Sequence, residues 1–338
     1  MIRRMVKKLT WKDSTSQHCD FHHLPVLFDE CMEGLAIKKD GVYVDCTAGG
    51  GGHSSGIVKR LGENGKLISL DKDDEALATC ERKREELEGK ERWVLVKSDF
   101  SKIDEVLERM NIEKIDGVLA DLGVSSHQID TAERGFSYMQ EGPLDMRMNE
   151  SQKLSAEIVV NEYKVEDLTR IFRDYGEERF AGRIASAIDK QRKIEPIRST
   201  TALAEIIRKA MPHTARKEDQ HPARRCFQAI RIEVNDELGA VSRLLEVVPS
   251  ILRPKGRFAV ISFHSLEDRL VKEAFRKLES PCTCPRDFPV CVCGKRPMGT
   301  QVNKKPIVAS DKELQENKRS GCAKLRVFER NEEEWLWQ

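Results

Sequence analysis

The chain has 338 residues, too many for one small core and enough for one large domain with an insertion, or for two domains. Its 58 basic and 57 acidic residues nearly cancel, so global charge lends no support to nucleic-acid binding and any such surface must come from local clustering. No apolar run approaches the ~20 residues that span a bilayer, which excludes a helical membrane protein, and the basic start with Arg3, Arg4, Lys7 and Lys8 lacks the apolar segment of a secretory signal. Residues 1–20 read as a loose tail, and the protein as cytoplasmic without membrane contact.

Along the first third, short β-branched runs alternate with helical segments. Val42-Tyr43-Val44-Asp45-Cys46 reads as a buried strand ending in an acid, followed by a glycine loop and a helix over 53–61. Leu67-Ile68-Ser69-Leu70-Asp71 is a second strand, and its helix over 74–86 opens on acids that suit the positive end of the helix dipole. Trp93-Val94-Leu95-Val96 is a third strand, after which Ser101 is expected to cap a helix reaching Met110. The fourth is Ile115-Asp116-Gly117-Val118-Leu119-Ala120-Asp121. Such alternation predicts a parallel sheet covered on both faces. From 135 to 233 the pattern is helical, with segments at 165–175, 179–190 and 200–211. A helix over 235–252 then leads to a strand over 258–263, a helix over 265–278 and a last strand over 324–328. The economical division is one discontinuous α/β domain, 21–134 plus 234–330, interrupted by a helical insertion at 135–233.

The segment Asp45-Cys46-Thr47-Ala48-Gly49-Gly50-Gly51-Gly52-His53 lies where such sheets bind ligands, and glycines there let the backbone approach a ligand closely. Asp71, ending the second strand, is spaced to bond ribose hydroxyls. The dinucleotide fingerprint fails, because Ser54 or Ser55 stands where its third glycine or alanine belongs, and no Lys-Ser or Lys-Thr completes a Walker loop. An acid ahead of the glycines looks instead like the loop of S-adenosylmethionine enzymes, with Asp45 helping to place the cofactor's ammonium, directly or through water. A tight structural turn is the plain alternative. Phe100, after the third strand, can lie against an adenine ring or simply belong to the core.

If an exocyclic base amine is the acceptor, its lone pair is delocalised into the ring, and hydrogen-bond acceptors on its N–H groups would help it pyramidalise as the methyl transfers. Asp121 and the carbonyls of residues 123–126 are candidates. In Phe263-His264-Ser265-Leu266-Glu267-Asp268, His264 can accept a proton and Phe263 can stack on a base, although the same residues also suit a helix start.

Several blocks then match a known family: Asp121-Leu122-Gly123-Val124-Ser125-Ser126, Glu133-Arg134-Gly135-Phe136-Ser137, Gly142-Pro143-Leu144-Asp145-Met146-Arg147-Met148, Tyr175-Gly176-Glu177-Glu178-Arg179-Phe180-Ala181, His221-Pro222-Ala223, Phe227-Gln228-Ala229-Ile230-Arg231-Ile232 and Ile261-Ser262-Phe263-His264-Ser265-Leu266-Glu267-Asp268-Arg269. Together, between about 22 and 330, they resemble the bacterial 16S ribosomal-RNA cytosine-N4 methyltransferases. The resemblance implies a Rossmann-like α/β methyltransferase sheet with a helical insertion that helps grip substrate. It implies S-adenosylmethionine as methyl donor and one cytidine in the decoding region as target, with 16S rRNA or the 30S subunit as partner and oligomeric state open, a dimer included. It carries cofactor contacts to Gly51, Gly52, His53, Asp71, Phe100, Asp121 and Gln128, whereas Asp121 and His264 as catalytic groups rest on the residue reading. Rival readings are a DNA or protein amine methyltransferase and a non-catalytic RNA-binding assembly factor; a Rossmann dehydrogenase is disfavoured by the loop.

Basic residues gather in the insertion: Arg179, Arg183, Arg192, Lys193 and Arg198, then Arg216, Lys217, Arg224, Arg225 and Arg231, diluted by neighbouring acids. Arg224 and Arg225 beside Phe227 and Gln228 offer phosphate and base contacts together. Cys31, Cys46, Cys80 and Cys226 sit singly and read as buried thiols. Cys282, Cys284, Cys291 and Cys293 form two close pairs. They can close a structural zinc site, although each pair is one residue tighter than the usual gap, and reduced surface thiols are the alternative.

Overall fold

A computed structural model of the chain describes residues 25–212, 221–285 and 288–332. The expected tail, and Arg216 and Lys217 of the basic cluster, lie outside the described residues. Among those described, no helix is long and apolar enough to cross a membrane.

In chain order the elements are α1 (Phe28–Leu35), β1 (Val42–Asp45), α2 (Gly52–Val58), β2 (Lys66–Asp71), α3 (Asp74–Glu85), β3 (Trp93–Lys97), α4 (Ile103–Arg109), β4 (Ile115–Asp121) and α5 (Ser126–Asp130). The helices α6 (Ala156–Glu162), α7 (Val165–Asp174), α8 (Ala181–Arg192), α9 (Thr200–Ala210), α10 (Ala223–Asn235) and α11 (Glu237–Ile251) follow. The chain closes with β5 (Leu252–Ser262), α12 (Ser265–Glu279), β6 (Gly299–Gln301), α13 (Asp311–Glu316) and β7 (Lys324–Arg330).

The strands form one sheet of order β3-β2-β1-β4-β5-β7-β6, parallel through β5, with β7 antiparallel to both its neighbours. Successive side chains of a strand point to opposite faces, and both faces here are apolar. Val44, Ile68, Val118 and Val260 pack with Val106 of α4, Leu244 of α11 and Phe275 of α12. Tyr43, Leu67, Leu119 and Ile261 face Met32 and Leu35 of α1 and Ile57 and Val58 of α2. Strand order reverses between β1 and β4, and the carboxyl ends of the strands around that reversal form the crevice where such sheets take ligands.

A third apolar cluster, separate from both faces, is built from α6 to α10, with Phe172, Ile184, Leu203, Ile207 and Ile230 fully buried, and with Phe136, Leu144 and Met146 from the segment before α6. Gly176 makes one of its joints, because a Cβ there would stand 2.7 Å from the Phe172 carbonyl and 2.8 Å from that of Arg225.

The helix expected over 235–252 is α11, parted from α10 at Asp236, which takes φ 48°. Two local expectations are corrected. Asp99, not Ser101, supplies the cap after β3: its carboxylate accepts the Ser101 amide and opens a single 3-10 turn before α4. β5 begins at Leu252, earlier than the predicted 258, and pairs with β4 through a register shift between Ile115 and Gly117.

Candidate active site

The loop after β1 is shaped by its glycines. Gly49 and Gly51 take φ 49° and 72°, left-handed conformations in which a side chain is strained. The Gly51 amide bonds the Ala48 carbonyl at 2.7 Å, closing a tight turn that delivers the chain into α2. On the protein side there is little room, since a Cβ at Gly51 would stand 3.2 Å from the Cys80 sulfur and the Trp93 ring, and one at Gly52 would overlap Pro25. At Gly50 the reverse holds: a Cβ would meet nothing within 4 Å, so this backbone borders open space.

Carboxylates end the strands around this loop. Asp45 is 1% exposed; it accepts the Thr47 amide at 3.1 Å and the Ser54 hydroxyl at 2.6 Å, and Ser54 passes the chain on to Ser69 and the Trp93 indole. Each of its oxygens thus accepts one bond beneath the loop, which fixes the carboxylate in place. Burial, opposed by those bonds, pushes its carboxyl up to about 7. Asp71 receives the Gly49 and Asp73 amides, each at 2.9 Å, tying the ends of β2 and the loop together; burial raises its carboxyl too.

Asp121 is the outlier. Its backbone amide bonds the Thr47 hydroxyl at 2.7 Å, and one oxygen lies 3.7 Å from His53 Nδ1. The other oxygen, Oδ1, is buried without a hydrogen-bond partner. Burial, with Asp45 and Glu267 adding repulsion, raises this carboxyl well above the ordinary aspartate range. His53 is fixed by its other nitrogen, 3.0 Å from the Val26 carbonyl.

Phe100 opens the 3-10 turn after β3, half-buried against one face of the sheet. Gln128 is buried, and its amide is spent on protein: Oε1 accepts the Ser125 amide in a capping box, and Nε2 donates to Asp73 at 2.7 Å. Arg134 completes this corner, 5% exposed, with bonds to Asp73, Glu75 and the carbonyls of Arg147 and Met148. Asn235 does the same from α10, holding the Met146 carbonyl and the Met148 amide, while Lys72 bonds its carbonyl. Sequence reading passed over Arg134 and Asn235. Arg134 lies within a matched block, but its partner Asp73 is 61 residues away and nothing local marks the pair.

His264 caps α12. Nδ1 accepts the Glu267 amide at 3.4 Å and Nε2 lies 3.1 Å from Glu267 Oε1, with the side chain 8% exposed. Nε2 makes no hydrogen bond, although it lies beside this buried carboxylate. Burial works to raise Glu267, but His264, Arg231 and the Phe263 amide outweigh it and hold that carboxyl low. Phe263 stands at the Gly123 turn after β4, 3.6 Å from where a Cβ would be. The insertion reaches this end of the sheet through Glu177, which accepts from Ser265 and Arg269, and through Arg231, bidentate on Glu237 at 2.8 and 2.9 Å. Arg224 and Arg225 are exposed on α10, away from these bonds, although Arg225 lies 3.9 Å from Glu178. Cys31, Cys46, Cys80 and Cys226 are buried, whereas the sulfurs of Cys282, Cys284, Cys291 and Cys293 converge in the loop between α12 and β6.

An antiparallel β7 between β5 and β6, a glycine loop after β1, and acids ending β1, β2 and β4 together define the S-adenosylmethionine-dependent methyltransferases built on a Rossmann-like sheet. Within that class the chain belongs to the MraW methylase family, whose model matches residues 20–331. It is 50% identical over 311 residues to a protein of Ruminiclostridium cellulolyticum named ribosomal RNA small subunit methyltransferase H, covering 92% of this chain and 99% of that one. Proteins of the same name from Symbiobacterium thermophilum (51% identity, 91% and 96% covered) and Acetivibrio thermocellus (52%, 92% and 99%) are similar throughout.

Proposed function

We propose that this protein methylates the exocyclic N4 amine of a cytidine in the decoding region of small-subunit ribosomal RNA, in the cytoplasm. The relatives' names support the RNA, and the orphaned, buried Oδ1 of Asp121 carries the chemistry. Gly51, Gly52 and His53, with Asp71, Phe100 and Asp121, form the cofactor cradle, whose open border at Gly50 and strand-end carboxylates suit an adenosyl sulfonium. Gln128 serves it from behind, through Ser125 and Asp73. When bound, S-adenosylmethionine supplies an already activated methyl group, so that in-line placement of the acceptor provides much of the rate.

The chain's part is to make a poor nucleophile adequate. An unpartnered carboxylate oxygen is an acceptor awaiting an N–H, and bonding the amine there localises its lone pair toward the methyl. Burial raises Asp121's proton affinity, which fits it to take the proton the amine sheds. Phe263, held by the His264–Glu267 cap, offers a ring beside the Gly123 turn for the base. The insertion, 135–233, grips the RNA, with Arg224 and Arg225 on phosphate.

Labelled methyl transfer into naked small-subunit RNA, 30S subunits, DNA and protein tests this, followed by mass mapping of the modified nucleotide. Label on cytidine N4 in RNA or subunits is expected. Label confined to DNA or protein, at another RNA atom, or absent from every substrate would refute the reading.

A further inference from the structure

The loop between α12 and β6 leaves and returns at one place. The Met298 amide bonds the Leu278 carbonyl at 2.9 Å, and Gln301 holds Glu279 through its backbone amide and its side chain. Beyond that base the described residues hold no regular secondary structure. Nor do they build a core, since the apolar side chains Phe288, Val290 and Val292 are 49%, 70% and 72% exposed. A loop of this length with its apolar residues in water must be ordered by something else.

What converges instead is sulfur. The four Sγ atoms of Cys282, Cys284, Cys291 and Cys293 lie within 4.8 Å of one another. Cys291 is 3.5 Å from Cys282, 3.8 Å from Cys284 and 3.4 Å from Cys293, and Cys293 is 3.8 Å from Cys282. A zinc–thiolate bond of about 2.3 Å gives a tetrahedron whose sulfur–sulfur edge is about 3.8 Å. The cluster therefore already has the dimensions of a four-thiolate metal site. As neutral thiols the four groups are weak donors and weak acceptors at the surface, poor material for ordering a loop. Two further features suit metal thiolates. The Val292 amide points at the Cys284 sulfur at 3.3 Å, the kind of bond that steadies a ligating thiolate. Gly294, directly after Cys293, takes φ 67° with nothing near its missing Cβ, so its conformation serves the backbone turn that brings Cys293 back to the cluster.

We propose that Cys282, Cys284, Cys291 and Cys293 bind one zinc ion that staples this loop, a structural site separate from the methyl-transfer centre. Closed four-sulfur coordination leaves no open position for substrate, and the soft ligand set favours zinc among the divalent metals that take a tetrahedron. The metal does for the loop what buried apolar contacts do elsewhere in the fold.

The test uses the full chain, untagged and purified without a metal-affinity column. Elemental analysis should find one zinc per chain, released when a mercurial titrates the thiols. Single variants Cys284→Ser and Cys291→Ser should lose the zinc and be cleaved by protease within 280–298 about tenfold faster, with S-adenosylmethionine affinity unchanged. Zinc-stripped wild-type protein should show the same cleavage, which keeps the test alive if a variant fails to fold. Absence of metal, iron in place of zinc, zinc retained by the serine variants, or four fewer titratable thiols from disulfides would each overturn the proposal.

Discussion

The carboxyl edge of the sheet and the helical insertion treat buried charge in opposite ways. In and around the insertion, buried carboxylates are matched: Arg134 meets Asp73 at 2.8 Å and Arg231 grips Glu237. At the sheet edge, Asp45, Asp71 and Asp121 are gathered together, and among the described residues no lysine or arginine pairs with any of them. Matched pairs fix an arrangement and are finished. Buried acids kept near one another without cations cost stability, and a fold that retains them holds capacity for a partner that is not protein.

The comparison can be broken first at Asp45. Its folded carboxyl titrates near 7, against about 3.9 in an unfolded chain. Between those values the native state binds the extra proton, so the wild-type protein loses stability as pH rises through that window, by roughly 4 kcal/mol for three units. Asp45→Asn removes the titration, and its stability relative to wild type should grow from about pH 4 to about pH 7. Urea midpoints at the two ends measure it, and parallel curves for both proteins would mean the site carries no such strain.

Next in size is Asp121→Asn, which keeps shape and loses the charge. The methyl-transfer rate constant should drop about 100- to 1,000-fold, as for loss of one preorganised group at a reacting centre. In the wild type the rate should fall as pH drops through the raised Asp121 titration, because the acceptor must be ionised. The variant should lack that limb; an identical pH profile would move the acceptor role elsewhere.

These contrasts were only partly legible in the sequence. The sheet was, because period-two apolar runs and acids at strand ends are local patterns, and residues 42–121 gave β1 to β4 nearly to the residue. The glycine loop was legible for the same reason. What escaped depends on meetings across the chain. Gln128 as a strut and Arg134 as a buried clamp owe their roles to Asp73, 55 and 61 residues away in the chain. The short β6 escaped because three residues carry no periodicity.

A smaller effect separates the loop's two duties. Gly51→Ala forces a left-handed alanine, costing roughly 1–2 kcal/mol, with further cost where its Cβ crowds Cys80 and Trp93. Gly50→Ala faces open space on a backbone without positive φ, so stability should be unchanged while the methyl group intrudes on the cradle and weakens S-adenosylmethionine binding. Calorimetric unfolding and titration of both variants separate the effects; unaltered cofactor affinity in Gly50→Ala would put the cradle on another side of the loop.

The smallest effect falls on the insertion's exposed arginines, where matched and unmatched charge meet on one helix turn. The Arg224 side chain has no partner among the hydrogen bonds and ion pairs of the described residues, whereas Arg225 lies 3.9 Å from Glu178, a carboxylate whose side chain is only 2% exposed. If both contact phosphate, Arg224→Ala and Arg225→Ala should each weaken RNA binding severalfold and flatten the logarithmic salt dependence by about 0.7 per lost contact on single-stranded RNA. Only Arg225→Ala should also lower the melting temperature, because it leaves Glu178 without its nearest cation. Filter binding across a salt series, with thermal melts beside it, resolves the two. Equal salt slopes in wild type and both variants would take the RNA surface off this face of α10.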